Sequence, residues 1–559
     1  MTFAPRKFAA LAAFSAFAAI PATAVFAQTS GVAATQVGAY SSFASATQAT
    51  GRVTGLPGAV LAAAAGMPEL AEWYRARDGA PVWAPAGGAQ SPDRMIERMI
   101  DAGDEALPAA VYGGRALRDR VARAGTLDEA GRAALEVDLS RAMLRFAGDL
   151  AAGTLKPNRV DKEIHIFPQR PSTAALMTAA AAAPDLAVWL DAVAPRDPDY
   201  DALKAVYARL KREAAGGGWR ADLAEGGTLR KGDVGPRVAQ VRARLSELGE
   251  HAPATARPEL FDDGLEAALK SFQRRHGLNP DGLAGRRTFS ALGADVGQRL
   301  HQVAVNLERL RWGPRVYAPR HIIVNQADYR VRLYDNGQVL RDARVVIGQR
   351  RHRTPEFIDQ MTHLVVNPTW HVPRSITMNE ILPALKEDPT YLARNNMRVV
   401  STDGGPTPVD TASHDWTQYA GGFFPYRVKQ GPGNSNSLGR VKFMFPNQFN
   451  IYLHDTPSKR LFSRDGRAFS HGCVRVQDPF ELAYLLLAPQ LDDPKGTFDA
   501  WLARGSERYV NLDEPVQVHL TYRTAWVDEN GVEQFREDVY GRDEAVWAAL
   551  KAEGLETGL

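Results

Sequence analysis

The chain has 559 residues, of which 45% are hydrophobic and 23% charged. This is the composition of a globular protein with room for about three domains, and it excludes wholesale disorder. Its 67 lysines and arginines are dispersed among 64 aspartates and glutamates, and the formal net charge is +3. Without a concentrated basic patch, the sequence does not indicate a nucleic-acid partner.

The first 27 residues have the pattern of a Sec-type signal peptide. Arg6 and Lys7 precede an apolar run from Phe8 to Ile20, and Ala27 ends a stretch that fits the rule for cleavage. An uncleaved anchor is the alternative, but the run is shorter than the roughly 20 residues that a bilayer core requires. We therefore expect a periplasmic protein with no stable membrane span after signal removal.

Two segments of different composition follow. Residues 28–65 are rich in Ser, Thr, Gly and Ala, which predicts a flexible linker. Residues 66–220 are predicted to form a helical scaffold domain, because apolar residues recur there at helical spacing. Leu139, Met143, Phe146 and Leu150 form one such stripe, and Gly153 follows as a stop signal.

Residues 226–295 are predicted to form a module of three short helices. Its apolar residues have helical spacing, and Gly249 and Gly277 follow the first two helices. The segment contains Lys231-Gly232-Asp233-Val234-Gly235-Pro236, Phe272-Gln273, Asp281-Gly282 and Thr288. It resembles the peptidoglycan-binding domain of many cell-wall enzymes, although Arg286-Arg287 replaces the usual Gly-Pro. An unrelated three-helix spacer is the alternative.

From about His321 the hydrophobic period changes to two, which predicts a β-rich domain over residues 300–545. Tyr329, Val331 and Leu333 alternate with polar residues, and Asn336-Gly337 supplies a hairpin turn. The expected fold class is therefore multidomain α+β, with a β-rich domain behind a helical domain and a three-helix module.

The strand pattern is lost between residues 374 and 440. Residues 402–408 and 430–438 are rich in turn-forming residues. An irregular excursion of this length inside a compact domain is uncommon and is usually functional, so we interpret it as a flap over a site. A tolerated surface insertion is the alternative.

Cys473 is the single cysteine of the chain and cannot form an internal disulfide. In an exported protein, an unpaired cysteine favours a reactive thiol over a stabilising role. A free thiol is mostly protonated at neutral pH, and a neighbouring imidazole that accepts its proton raises the reactive fraction. The sequence therefore predicts a thiol nucleophile with a histidine base.

The alternation of side chains along a predicted strand indicates which histidine is the base. Along residues 450–454, Ile451 and Leu453 take one face, presumed to be core, while Tyr452 and His454 take the other. We predict His454 as the general base. His471, two residues before the thiol, is the alternative base.

The residues around the thiol have predicted supporting roles. Gly472 permits close approach of a substrate, and backbone N–H groups near it are expected to face a developing oxyanion, with Ser470 and His471 shaping the loop. Arg475 is predicted to bind a substrate carboxylate, with a plain surface charge as the alternative. Zinc bound by His454, His471 and Cys473 is a further alternative, but the sequence has no compact ligand pair, so we expect no metal and no cofactor.

Four motifs together carry a family resemblance. They are Ile451-Tyr452-Leu453-His454-Asp455-Thr456-Pro457, Ser470-His471-Gly472-Cys473-Val474-Arg475-Val476, Asn367-Pro368-Thr369-Trp370-His371-Val372-Pro373 and Leu438-Gly439-Arg440-Val441-Lys442-Phe443. They resemble the motifs of the YkuD-type L,D-transpeptidases, in the long periplasmic form that has scaffold and peptidoglycan-binding domains. On this resemblance we also assign Tyr452 and Trp370 to substrate binding.

The resemblance implies a cysteine acyltransferase that acts on peptidoglycan stem peptides. Cys473 would attack the carbonyl between diaminopimelate at position three and D-alanine at position four, and D-alanine would leave. A second stem's side-chain amine would then take the acyl group, giving a 3→3 cross-link. The family also implies acylation by carbapenems. An L,D-carboxypeptidase that uses water, and a non-catalytic wall-binding protein, are the alternatives.

Overall fold

The computed structural model describes residues 53–86, 90–401, 410–411, 413–419 and 424–557. The predicted signal peptide, the predicted linker up to residue 52 and the turn-forming stretch 402–408 lie outside the described residues. Within the described ranges, no helix combines the length and the apolar character needed to cross a membrane.

The N-terminal domain is helical and is organised around α5. Its helices are α1 Gly55–Ala64, α2 Pro68–Arg75, α3 Asp93–Ile100, α4 Gly114–Ala122, α5 Glu129–Ala152, α6 Pro157–Val160, α7 Thr173–Ala182, α8 Leu186–Val193 and α9 Pro198–Ala215. The predicted stripe on α5 is fully buried. Asp128 caps the helix by accepting a hydrogen bond from the Gly131 N–H at 2.7 Å.

The first helix occupies part of the stretch 28–65 that the composition predicts to be a linker. In α1, Val60 and Ala64 are fully buried and pack in the same core as α5. The glycines and proline that open this helix, Gly55, Pro57 and Gly58, are typical of a linker. Tertiary packing of the small apolar side chains that follow outweighs this local signal.

The three-helix module has the predicted helices and a core of its own. They are α10 Pro236–Glu247, α11 Asp263–Arg275 and α12 Arg286–Leu292, and a longer helix, α13 Val296–Trp312, follows them. Gly249 and Gly277 follow the first two helices with φ of 78° and 65°, a conformation that favours glycine. The prediction of helix positions in this module is confirmed.

The β domain contains a closed sheet. The strands of the chain are β1 Arg320–Asn325, β2 Arg330–Asp335, β3 Gln338–Gly348, β4 Phe357–Val366, β5 Trp370–His371, β6 Met397–Ser401, β7 Tyr426–Gln430, β8 Val441–Met444, β9 Leu453–His454, β10 Ala468–Ser470, β11 Val474–Val476, β12 Arg508–Thr521, β13 Ala525–Val527 and β14 Glu533–Phe535. Nine of them form one sheet in the order β10-β3-β11-β9-β8-β4-β12-β1-β2, and a further pairing of β2 with β3 closes it. The multidomain α+β prediction is confirmed.

The flap is more ordered than the sequence predicts. Its strands form a three-stranded sheet in the order β5-β7-β6. Its helices are α14 Arg374–Ile376, a π-helical turn Thr377–Ile381, α15 Leu382–Glu387 and α16 Tyr391–Arg394. Buried residues such as Leu385, Val399 and Trp416 give it a separate small core. The expectation of an irregular excursion is wrong here, because strands of two to five residues are too short for alternation to reveal them.

The remaining helices are α17 Pro479–Leu487, α18 Pro494–Ala503 and α19 Arg542–Ala552. Helix α17 has proline at its first position, where a missing N–H costs nothing. Asp478 precedes it with φ of 46°, and its side chain makes no capping hydrogen bond.

Helix α13 joins the three-helix module to the β domain and is buried along most of its length. It packs against α9 of the N-terminal domain and against α19. Its Glu308 is fully buried, accepts a hydrogen bond from the Leu155 N–H at 2.8 Å and lies 3.3 Å from Arg311 Nη1. The helix therefore forms a common support for the N-terminal domain and the β domain.

Candidate active site

Side-chain hydrogen bonds hold the loop that carries Cys473 at two consecutive carbonyls, those of Gly472 and Cys473. Ser470 Oγ donates to the Cys473 carbonyl at 2.5 Å, and Thr354 Oγ1 donates to the Gly472 carbonyl at 2.6 Å. The Gly472 N–H in turn donates to Ser470 Oγ at 3.1 Å. Ser470 thus bonds the loop on both sides of Gly472, and the Gly472 N–H is engaged with Ser470 and is not directed at an oxyanion.

Gly472 has a conformation that other residues rarely adopt. Its φ is +115°, and an added Cβ would lie 3.2 Å from Ile451 Cδ1. Both the backbone angle and the close packing favour glycine at this position. The turn that precedes the thiol therefore depends on this residue.

Strand register brings the predicted residues to one face. Strands β9 and β11 are parallel, with Leu453 opposite Val474 and His454 opposite Arg475. Leu453 and Val474 are fully buried in the domain core. Because side chains alternate, His454 and Arg475 lie on the other face, which they share with Tyr452 and Cys473 two positions earlier on each chain segment.

The thiol of Cys473 is partly accessible and contacts two neighbours. Its Sγ lies 3.5 Å from the carbonyl oxygen of Asn450, and its side chain is within hydrogen-bonding reach of Tyr452. Desolvation of the sulfur by the surrounding protein raises the pKa of the thiol. Hydrogen bonding from Tyr452 and the charges of Lys442 and Arg475 lower it.

His454 is buried and neutral. Burial is the main cause that lowers its pKa to about 3, and the charge of Arg475 adds to the effect, whereas the carbonyls of Asp455 and Leu438 oppose it. Nδ1 lies 2.5 Å from the Asp455 carbonyl, which can only accept, so Nδ1 carries the proton and Nε2 bears the lone pair of the neutral ring. His454 lies on the face opposite Leu453, and the Leu438 carbonyl at the end of the flap is within hydrogen-bonding reach of its ring.

In the part of the chain that the structure describes, no hydrogen bond joins the His454 ring to the Cys473 thiol. The two side chains lie on adjacent strands and the same face of the sheet. Catalytic hydrogen bonds are often long before a substrate binds. The assignment of His454 as base therefore stays a prediction.

Lys442 is a member of the site that the sequence analysis does not assign. On β8 it lies opposite His454, and its Nζ is 3.9 Å from the centroid of the Tyr452 ring. Val441 and Phe443 are fully buried, so alternation puts Lys442 on the same face as the thiol. That alternation is the signal that identifies this residue.

Within the described ranges, the Arg475 guanidinium has neither an ion pair nor a hydrogen bond, and its Nε is shielded from solvent. Burial lowers the pKa of its guanidinium, and the neighbouring Cys473 acts against this effect. A partly buried guanidinium without an anionic partner differs from an ordinary surface charge.

His471 and Trp370 lie toward the flap. His471 Nε2 is 2.8 Å from Glu380 Oε1 of the π-helical turn, and its ring centroid is 5.0 Å from that of His352. Trp370 begins flap strand β5, where it pairs with Gln430. Neither belongs to the face formed by β8, β9 and β11. Among the described residues, no group of three or more His, Cys, Asp and Glu side chains is arranged to hold a metal ion.

Comparison with known protein families finds three domains in the chain. The L,D-transpeptidase catalytic domain of the YkuD family matches residues 319–506. A scaffold domain matches residues 68–206, and the "Putative peptidoglycan binding domain" matches residues 234–292.

Individual proteins give similar results. A Haemophilus influenzae protein named "Putative L,D-transpeptidase" is 37% identical over 247 residues, which cover 44% of this chain and 48% of that protein. An N-acetylmuramoyl-L-alanine amidase from Mycobacterium tuberculosis is 40% identical over 76 residues, or 12% of this chain and 19% of that protein. The chain thus spans about half of the first relative's length and a fifth of the second's.

Among solved structures, an L,D-transpeptidase from Xylanimonas cellulosilytica is 14% identical, with a TM-score of 0.17 over 54% of this chain and all of that one. This score is too low to bear on the fold. The catalytic-domain match begins directly before β1 and ends directly before β12, and the peptidoglycan-binding match spans α10 to α12. Residues 319–506 are therefore a YkuD-type L,D-transpeptidase catalytic domain, carried in one chain with a scaffold domain and a peptidoglycan-binding domain.

Proposed function

We propose that this protein is a cell-wall L,D-transpeptidase that forms 3→3 peptidoglycan cross-links through an acyl-enzyme on Cys473. The observation that carries the proposal is the shared face of β8, β9 and β11. There the single thiol of the chain adjoins a neutral histidine, a lysine and an unpaired arginine. These are the groups that acyl transfer to and from a thiol requires.

In the first half-reaction, His454 Nε2 accepts the proton of Cys473, and the thiolate attacks the carbonyl carbon between residues three and four of a stem peptide. The C–N bond then breaks, a thioester forms, and D-alanine leaves with the proton that His454 returns. Lys442 and Arg475 favour the thiolate, since positive charge stabilises it. Arg475 also binds a carboxylate of the donor stem.

In the second half-reaction, the side-chain amine of another stem attacks the thioester carbonyl. His454 removes a proton from this amine, the C–S bond breaks, and the proton passes to the leaving thiolate. The products are a new amide bond and the free enzyme. The flap favours the amine over water by restricting solvent access to the thioester.

The three-helix module supports a wall-bound location for this chemistry. Its match to a peptidoglycan-binding domain agrees with a substrate that is an insoluble polymer. We propose that the protein acts in the periplasm after export, on donor tetrapeptide stems and acceptor amines of the same polymer. No cofactor is needed for either half-reaction.

The test is incubation of the purified protein with tetrapeptide muropeptides, followed by mass spectrometry. We expect 3→3 linked dimers, free D-alanine and a thioester adduct on wild-type protein, and none of these with Cys473→Ala. Trimmed tripeptides without dimers would identify a carboxypeptidase instead. A folded protein that binds peptidoglycan but forms neither adduct nor product would contradict the catalytic proposal.

A further inference from the structure

We propose that a short segment of the scaffold domain, residues 161–166, positions the loop that carries Cys473. We call this segment the strap. The inference rests on the proposed function, since it concerns the reactivity of the same thiol. The scaffold domain would then help to position the active-site loop, although the strap is far from Cys473 in sequence.

The strap pairs with the β domain through its backbone. Ile164 forms a parallel bridge with Glu356, which lies directly before β4. The His165 N–H donates to the Glu356 carbonyl at 2.7 Å, and the Glu356 N–H donates to the Glu163 carbonyl at 2.8 Å. Ile164 is fully buried. The strap is thus joined to residues 353–356 as a strand is joined to its neighbour.

Charged side chains reinforce this pairing. The Asp161 carboxylate lies 2.8 Å from Arg353 Nη1 and 3.7 Å from Arg542 Nε. Arg542 is fully buried, and its Nη2 donates to the Thr354 carbonyl at 2.9 Å. Asp161 therefore contacts Arg353, which precedes Thr354, and Arg542, which donates a hydrogen bond to the Thr354 carbonyl.

Thr354 transmits this restraint to the catalytic loop. Its Oγ1 accepts a hydrogen bond from the Gly348 N–H at 2.9 Å and donates to the Gly472 carbonyl at 2.6 Å. The Gly472 carbonyl and the Cys473 N–H belong to one planar peptide unit and point in opposite directions. A fixed carbonyl therefore fixes the direction of the Cys473 N–H, a backbone donor in the same residue as the sulfur that would carry the tetrahedral intermediate.

The strap reaches the thiol by a second route. The His165 ring centroid lies 4.2 Å from that of Phe449. The next residue, Asn450, has its carbonyl oxygen 3.5 Å from Cys473 Sγ, and its φ is +55°. Packing of His165 on Phe449 thus supports a backbone turn whose carbonyl faces the sulfur. The strap therefore supports two loops beside Cys473: the loop at Gly472 through Thr354, and the loop at Asn450 through Phe449.

The test uses full-length variants and exploits the single cysteine. Iodoacetamide alkylates only Cys473 in this chain, so its rate against pH reports the state of that thiol alone. We expect Asp161→Asn and His165→Ala to lower the alkylation rate constant and to lower kcat for cross-linking by about 10- to 100-fold, with KM little changed. The matched control is Phe167→Ala, one residue beyond the strap, whose side chain is 64% exposed; it should behave as wild type.

A second pair of variants tests the route through Thr354. Thr354→Val should reproduce the loss, and Thr354→Ser, which keeps the hydroxyl, should restore the wild-type alkylation profile. If Asp161 acts through Thr354, the double variant Asp161→Asn with Thr354→Val should be no slower than Thr354→Val alone. A purely structural role would lower the melting temperature without this pattern of rescue.

The proposal fails if the strap variants fold and keep both the wild-type alkylation profile and the wild-type kcat. If Asp161→Asn does not fold, His165→Ala decides alone, because its backbone hydrogen bond does not depend on the side chain. A wild-type protein that forms no cross-links would contradict the proposed function. The alkylation comparison would still decide the role of the strap.

Discussion

The Nζ of Lys442 lies over the ring of Tyr452, 3.9 Å from its centroid, and the Tyr452 side chain is within hydrogen-bonding reach of the Cys473 thiol. A cation in this position stabilises negative charge on the sulfur. The site thus has a source of positive charge in addition to Arg475. Neither histidine has to be charged to provide it.

Replacing Lys442 with methionine should raise the pKa of the thiol further, because the charge that favours the thiolate is lost. Alkylation by iodoacetamide near neutral pH should slow by up to about tenfold, which corresponds to one pKa unit. Lys442→Arg keeps the charge and should stay close to wild type. An unchanged alkylation profile in Lys442→Met would show that this lysine does not act on the thiol.

The pH dependence of alkylation should follow from the raised pKa of Cys473. A raised pKa means a smaller thiolate fraction at any given pH, so the rate should keep rising above the ordinary thiol value of about 8.5. His454, with a pKa lowered to about 3, is neutral from about pH 4 upward and should contribute no inflection near 6.5. A wild-type inflection near 6.5 that disappears in His454→Gln would contradict this account.

The sequence predicts the parts of the site that lie on single strands. Alternation alone places His454 and Arg475 on the face opposite Leu453 and Val474, and a helix pattern predicts α5. It does not predict the strap, because Asp161 and Arg353 are 192 positions apart and no local pattern links them.

Two other misses have local causes. Helix α1 has a composition typical of linkers, and the flap strands are too short to show a period. The burial of His454 is not predicted either, because the Leu438 carbonyl that its ring contacts lies outside β9. Lys442, in contrast, is accessible to the same alternation argument that identifies His454.

Replacing Arg475 with glutamine should weaken binding of the donor stem, because its guanidinium has no other anionic partner among the described residues. Loss of a charge-assisted hydrogen bond is worth about 1.5–3 kcal/mol, or roughly 10- to 100-fold in KM. Steady-state kinetics with a donor stem whose carboxylates are amidated provide the control. The amidated stem should bind wild type and Arg475→Gln equally weakly; a large remaining difference would exclude carboxylate binding as the role of Arg475.

The contact between Glu380 and His471 joins the flap to the catalytic loop. Both side chains are partly exposed, at 51% and 33%, so the contact is worth less than about 1 kcal/mol. Glu380→Ala should therefore change the ratio of hydrolysis to cross-linking by at most about fivefold, toward hydrolysis, as the flap admits more water. The product ratio by mass spectrometry checks this. Abolished alkylation in His471→Ala, with alkylation intact in His454→Gln, would reverse the base assignment.

Stability should depend strongly on the buried charges of α13. Glu308→Ala removes the carboxylate that accepts from Leu155 and faces Arg311, two groups without access to solvent. Breaking a buried pair in this way costs about 3–5 kcal/mol of unfolding free energy. Calorimetry should show a much lower melting temperature. Lys495→Ala, in an exposed pair with Asp499, is the control and should have no measurable effect.

The position of α13 has a consequence for how this chain evolves and can be engineered. Its buried side chains contact the N-terminal domain on one side and the C-terminal segment with α19 on the other. A catalytic domain excised at residue 319 would lose this helix and expose the apolar surfaces that it covers. The catalytic domain is thus not an exchangeable cassette, and the N-terminal domain and the β domain, which share α13, are expected to melt in one cooperative transition.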